Sequence, residues 1–74
     1  MPPLPRLTGA ETMRKLRRDG WTVARIEGSH HLLQHPTKPG TIPVPLHAGR
    51  TLTPGVMRSI ISQAGLTVEQ FIAL

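Results

Sequence analysis

Two stretches of the chain carry apolar residues at helical spacing, and the stretch between them alternates. The first opens at Thr8-Gly9-Ala10-Glu11, the pattern of a capping box in which Thr8 caps and Glu11 reaches back. The spacing predicts a helix from about Gly9 to Asp19. At about 100° per residue, Ala10, Met13 and Leu16 share one side. Glu11, Arg14, Lys15 and Arg18 share the other, with Arg17 on the border. Glu11 precedes Lys15 by four positions, the favourable order for a helical ion pair. Gly20 supplies a left-handed terminator.

Trp21 to Glu27 is rich in β-forming residues (Trp21, Thr22, Val23, Ile26) and predicts a strand. Gly28-Ser29 turns the chain, and His30 to His35 returns as the second strand of a hairpin. Pro36-Thr37-Lys38-Pro39-Gly40 is a loop. Thr41 to His47 predicts a third strand, with Ile42, Val44 and Leu46 pointing one way and Pro43, Pro45 and His47 the other. Proline has no N–H to donate, and residues two apart present their N–H groups to the same side of a strand. Both missing donors therefore fall on one edge. This makes strand three an edge, with strand two in the middle of an antiparallel meander. A donor-poor edge also resists the addition of a further strand.

Ala48-Gly49-Arg50 turns the chain into a second helix, capped by Thr53 with Pro54 at its first position. Val56, Met57, Ile60, Ile61 and Ala64 form its apolar stripe, and Gly65 ends it. Thr67-Val68-Glu69-Gln70 is a further capping-box pattern, which starts a short terminal helix holding Phe71. The reading is an α+β fold, α-β-β-β-α. It has a three-stranded antiparallel sheet, two helices on one face and a short C-terminal helix. Residues 1–7 form a Pro-rich tail, and residues 8–74 form a single domain.

Length narrows the function. A fold of 74 residues leaves much of its surface exposed, which disfavours an enclosed pocket and favours a long ligand bound on a surface. Cysteine is absent, which excludes a disulfide framework and a thiolate zinc site. No run of about 18 apolar residues marks a transmembrane helix. No apolar stretch follows Met1-Pro2-Pro3 to mark a signal peptide, so the expected location is the cytoplasm, away from any membrane. Lys+Arg number 9 against Asp+Glu 4, a formal charge of +5. That excess favours a polyanionic partner, because neutralising phosphates releases counterions; a solubilising surface explains it equally well. Only two aromatic residues, Trp21 and Phe71, are present, which argues against a base-stacking platform.

The four histidines are the chemically distinctive feature. On a strand, His31 and His35 lie about 13 Å apart, too far for one metal ion, and adjacent His30 and His31 project to opposite faces. No metal site and no cofactor is expected. An imidazole titrates near neutrality and moves protons at physiological pH. His30 directly follows the Gly28-Ser29 turn, where a side chain stays reachable, and is the candidate general acid–base. Ser29 is a candidate orienting group or nucleophile whose hydroxyl more simply satisfies the turn. For each histidine the plain alternative is a surface side chain without a chemical role.

The chain resembles a known family in Leu16-Arg17-Arg18-Asp19-Gly20-Trp21, Gly28-Ser29-His30-His31 and Val44-Pro45-Leu46-His47. Gly55-Val56-Met57-Arg58-Ser59-Ile60-Ile61, Gln63-Ala64-Gly65-Leu66 and Phe71 extend the likeness, in unbroken order over residues 8–72. The likeness is to the HicA-type toxins (the YcfA family), small mRNA-cleaving members of type II toxin–antitoxin systems. It implies a fold similar to a double-stranded-RNA-binding domain, in agreement with the element order read above. It also implies an endoribonuclease, or mRNA interferase, whose catalytic histidine follows the Gly-Ser pair. That position is His30. The implied partners are mRNA and a HicB-type antitoxin.

RNA carries its own nucleophile, the 2′-OH, so His30 would act on that hydroxyl as general acid/base without a metal. Arg14, Lys15, Arg17, Arg18, Arg50 and Arg58 are the candidate RNA-binding cations, and His47 is the candidate second acid. The alternative on the same fold is a non-catalytic module that reads double-stranded RNA through the cations of the first helix. A DNA-binding protein using the second helix ranks last, because that helix is mostly apolar with Arg58 as its one cation.

Overall fold

The computed structural model describes residues 3–74; residues 1–2 of the expected tail lie outside the described residues. The elements run α1 (Gly9–Arg18), β1 (Thr22–Glu27), β2 (His30–Gln34), β3 (Ile42–Pro45), α2 (Pro54–Gln63) and α3 (Val68–Ile72). The predicted α-β-β-β-α order with a short C-terminal helix is the one observed.

α1 starts at the predicted cap. Thr8 Oγ1 accepts the Glu11 N–H at 3.2 Å, and Glu11 Oε1 accepts the Thr8 N–H at 2.9 Å. The backbone N–H and then the hydroxyl of Thr8 hold the Glu11 carboxyl below the usual carboxylate range. Because Glu11 is committed to the cap, the expected Glu11–Lys15 pair does not form. Lys15 Nζ reaches instead to the carbonyls of Ile72 and Leu74, at 3.0 Å each.

The buried face of α1 is also rotated from the expected one. Gly9, Thr12 and Leu16 face inward, while Ala10 is exposed. The buried Thr12 hydroxyl donates to the Thr8 carbonyl at 2.9 Å, so burial leaves it satisfied. The rotation follows from close packing at the first turn. A Cβ on Gly9 would lie 2.1 Å from the Pro45 carbonyl oxygen, so only glycine lets α1 approach β3 there.

The sheet is antiparallel in the order β1-β2-β3, with β2 central as predicted. Leu46 N–H donates to the Ser29 carbonyl at 2.7 Å. The N–H groups of Ile42 and Val44 share its direction by the two-residue repeat, so Pro43 and Pro45 turn their missing donors away from β2. The third strand is shorter than the predicted Thr41–His47 stretch. It ends at Pro45, opposite His30, where β2 begins, and beyond that pair the Leu46–Ser29 bond joins it to the turn. Trp21 and His35 likewise fall just outside their strands.

A β-bulge in β1 was not foreseen. Val23 pairs with Leu33 but Arg25 pairs with the adjacent Leu32, leaving Ala24 as the extra residue. Strict alternation would have put Val23, Arg25 and Glu27 on one face. The bulge keeps Val23 with the core and turns Arg25 and Glu27 to the opposite face, beside Leu32 and His30.

Both long helices cover the face that carries Leu33, Ile42 and Val44. These join Leu16, Trp21, Leu52, Met57, Ile60, Ile61, Ala64 and Phe71 in one cluster. Each fully buried side chain of this kind contributes about 1.5–3 kcal/mol, more than any single cap or surface pair. Leu4 and Leu7 pack against the same cluster, and Leu52 N–H donates to the Leu7 carbonyl at 2.8 Å. The last stretch of the expected tail is therefore anchored. Thr53 caps α2, and Thr67 with Gln70 closes the predicted capping box of α3.

The end of the sheet away from the hairpin is held by a polar clamp. Lys38 Nζ donates to Asp19 Oδ2 at 2.6 Å and to the Ala64 carbonyl at 2.8 Å, joining the C-termini of α1 and α2. Trp21 Nε1 donates to the same carboxylate at 3.2 Å. His35 Nδ1 accepts the N–H groups of Thr37 and Lys38 at 3.1 and 3.2 Å. This fixes its tautomer, so Nε2–H donates to the Asp19 carbonyl at 2.7 Å.

Candidate active site

The hairpin tip is built by a two-residue turn. Gly28 takes φ 59°, a conformation that β-branched and bulky residues avoid. The turn sets Glu27 opposite His30, the first residue of β2. On its other side His30 pairs with Pro45. The His30 side chain is exposed and has no hydrogen-bond partner among the described residues. It lies on the face of the sheet that the helices leave open. Ser29 is exposed in the turn, and its carbonyl is held by Leu46.

The Leu46–Ser29 bond brings His47 alongside the hairpin tip. His47 is exposed, and its carbonyl accepts the Arg50 N–H at 3.0 Å, so Arg50 turns back at the same end. His30, Ser29, His47 and Arg50, up to 21 positions apart in sequence, therefore gather at one end of the sheet.

The other five predicted cations, on α1 and α2, sit elsewhere. The start of α1 lies against Pro45, at the hairpin end, but its cations belong to its later turns. Arg17 is about 12 Å further along the helix axis than Gly9. Lys15 and Arg18 are already engaged. Lys15 holds the Ile72 and Leu74 carbonyls and lies 5.9 Å from the Phe71 ring centroid, and Arg18 donates to the Leu74 carbonyl at 3.1 Å. Arg14 and Arg17 are exposed in the helical layer. Arg58 lines an apolar groove of about 670 Å³ with Leu4, Ile61, Leu66 and Val68.

The remaining two histidines separate by environment. His35 is the centre of the clamp, with its ring edge-on to Trp21 at 5.2 Å. His31 faces the helical side, between Ile26 and Val44 in register, and its buried Nδ1 has no partner among the described residues. Among the described residues no group of three His, Asp or Glu side chains is placed to hold a metal ion.

The residue pattern of the tip, the fold around it and a direct family match now agree. The sequence model described as the HicA toxin of bacterial toxin–antitoxin matches residues 9–66. The chain belongs to the HicA toxin family. No curated protein matches it in sequence. Membership of a toxin–antitoxin family implies a cognate antitoxin. The HicA match spans α1 through the end of α2 and contains the whole hairpin tip, whereas α3 lies beyond it. Among the described residues no helix is long and apolar enough to cross a membrane.

Two residues outside the predicted set, Arg25 and Glu27, also stand at this site. Arg25 Nε and Glu27 Oε2 form an ion pair at 2.6 Å on the open face. Glu27 is the cross-strand partner of His30, and Arg25 is its diagonal neighbour. The signal was available in part. A two-residue turn at Gly28-Ser29 dictates that Glu27 stands opposite His30.

Proposed function

We propose that this chain is the toxin of a toxin–antitoxin pair and cleaves mRNA as a metal-independent endoribonuclease, with His30 as the general acid/base. The observation that carries the reading is the bare, strand-held imidazole of His30 on the helix-free face of a HicA-family chain. A strand fixes the ring better than a loop would, and exposure leaves room for a ribose to approach.

In this reaction neutral His30 takes the proton of a ribose 2′-OH. The 2′-oxygen attacks the adjacent phosphorus, the bond to the 5′-oxygen breaks, and a 2′,3′-cyclic phosphate remains. The leaving 5′-oxygen takes a proton from His47, from water, or from His30 in a later step. A positioned base of this kind supplies about 10²–10⁴-fold in rate. Cations that stabilise the developing phosphorane charge add to it. The cationic surface of α1, with Arg14 and Arg17 exposed, serves as a more distant track for the RNA backbone. The partner that neutralises the toxin is a HicB-type antitoxin. It should cover His30 and the basic face together, blocking RNA access, and acidic groups on it would speed association with a chain of charge +5.

The test is induced expression of the wild type beside His30→Ala, scoring growth and bulk mRNA integrity. Growth arrest with mRNA loss in the wild type alone supports the reading. Arrest by both proteins sinks it. In vitro, cleavage should persist in EDTA and stop when the ribose at the cut site is 2′-deoxy. Binding that leaves RNA intact would favour the non-catalytic module instead.

A further inference from the structure

We propose that Arg25 is the phosphate-binding cation of the RNA site, held in the free protein by Glu27, which the RNA phosphate displaces. The inference rests on the RNA-cleaving reading above and extends it to residues that reading does not include.

Three observations lead there. The first is register. Glu27 pairs directly with His30 and Arg25 with Leu32, so all four side chains stand on the open face of the sheet. Diagonal neighbours on a sheet face lie about 7–8 Å apart at the backbone, within the reach of an arginine. A phosphate whose ribose hydroxyl touches the His30 ring therefore falls between that ring and the Arg25 guanidinium.

The second is the bulge at Ala24. An extra residue in an edge strand costs ladder pairing, and its effect here is to bring Arg25 onto the same face as His30. Without it, Arg25 would point with Val23 toward the helices. The third is charge. Lys15 and Arg18 are engaged with the Ile72 and Leu74 carbonyls, and Arg58 faces the groove between α2 and α3. Arg25 is the cation that adjoins His30 on its own face.

The ion pair explains the resting state. Its members are well exposed, 65% for Arg25 and 59% for Glu27, so water screens it and it contributes little to stability. A weak pair of this kind holds the guanidinium in position without resisting exchange. The incoming phosphate offers a bidentate acceptor that matches the planar fork of arginine. Leu32, 8% exposed between Arg25 and Pro43, gives the fork an apolar backing.

The experiment uses the full chain and a short mixed-sequence single-stranded RNA. Binding is measured in the His30→Ala background, which leaves the RNA uncut, over a range of salt concentrations. Arg25→Ala should weaken binding about tenfold and lower the slope of log affinity against log salt by about 0.7, the share of one phosphate contact on a single strand. Glu27→Gln should tighten binding several-fold, because the competing carboxylate is gone. With His30 intact, Arg25→Lys should keep the salt slope but slow cleavage at saturating RNA, since a lysine lacks the fork.

An unchanged slope and unchanged cleavage in the Arg25→Ala variant would overturn the assignment. So would weaker binding by Glu27→Gln, which would make Glu27 a support for His30 rather than a competitor for Arg25. If the parent protein neither binds nor cuts RNA, the RNA-cleaving reading fails and takes this inference with it. If the parent cuts RNA and the Arg25 variants match it, this inference alone fails. Melting curves of each variant should overlay the parent, because both side chains are exposed.

Discussion

The two ends of the sheet use histidine in opposite ways. At the hairpin end, His30 stands exposed without a partner among the described residues, beside an exposed ion pair and two prolines. At the other end, His35 uses both ring nitrogens, packs its edge on Trp21 and sits beside the Lys38–Asp19 pair that joins two helix ends. Their sequence contexts look alike, since each borders a strand and a turn. The difference is which groups remain for chemistry. An imidazole whose donor and acceptor are both satisfied locks structure, while one left bare on a rigid strand is free to exchange a proton with a ligand.

Substitution at His30 should separate the two ends most sharply. His30→Ala is expected to lower RNA cleavage by about 10²–10⁴-fold and leave the melting temperature unchanged. A fall in melting temperature equal to that of a clamp variant would erase the contrast. The largest purely structural effect should come from Trp21→Ala. This removes a fully buried indole and should cost about 3–5 kcal/mol, read by chemical denaturation.

Smaller losses at the same end sharpen the comparison. His35→Ala strips two N–H groups of their acceptor and one carbonyl of its donor, and should cost about 1–3 kcal/mol. Cleavage per folded molecule should not change. If His35→Ala instead abolished cleavage in a fully folded protein, the division of labour would be wrong.

The smallest effect belongs to the cap of α1, which touches neither end's histidine. Thr8→Ala should cost about 1 kcal/mol. The Glu11 carboxyl sits below its usual range in the folded chain, so its contribution is present above the unfolded carboxylate pKa and is lost as pH falls through the lowered folded value. The stability gap between wild type and Glu11→Gln should hold at neutral pH and close in acid. A gap that widens in acid would show that the Thr8–Glu11 bonds are not its source.

Much of the fold was legible because its signals are local. Thr8 with Glu11, Thr53 with Pro54, and Thr67 with Gln70 mark helix starts through atoms within one turn, and all three caps formed. Pro43 and Pro45 declared an edge strand because a missing N–H acts wherever the strand lies. The failures concern groups with a choice of partners. Lys15 had a helical neighbour in Glu11, yet it took the carbonyls of Ile72 and Leu74, far along the sequence. Ala10 belonged to the apolar side by periodicity, yet the close contact of Gly9 with Pro45 rotated Thr12 inward instead.

The candidate site divides in the same manner. His30 and Ser29 were legible from the turn that presents them. Their neighbours Arg25 and Glu27 were not, and the gathering of His47 and Arg50 beside them depends on how β3 meets β2.

By itself, the sequence determined where the helices start, the order of helices and strands, which strand is an edge, and that a histidine follows a tight turn. Those properties reside in short-range hydrogen bonding and backbone freedom, which travel with the residues. Only the tertiary structure decided which cations share a face with that histidine. Facing is a matter of cross-strand register, and the single extra residue at Ala24 reverses it for everything between the bulge and the turn. No local preference encodes that reversal, because it is the packing of Val23 against the core and the pairing of Glu27 with His30, satisfied together, that require it.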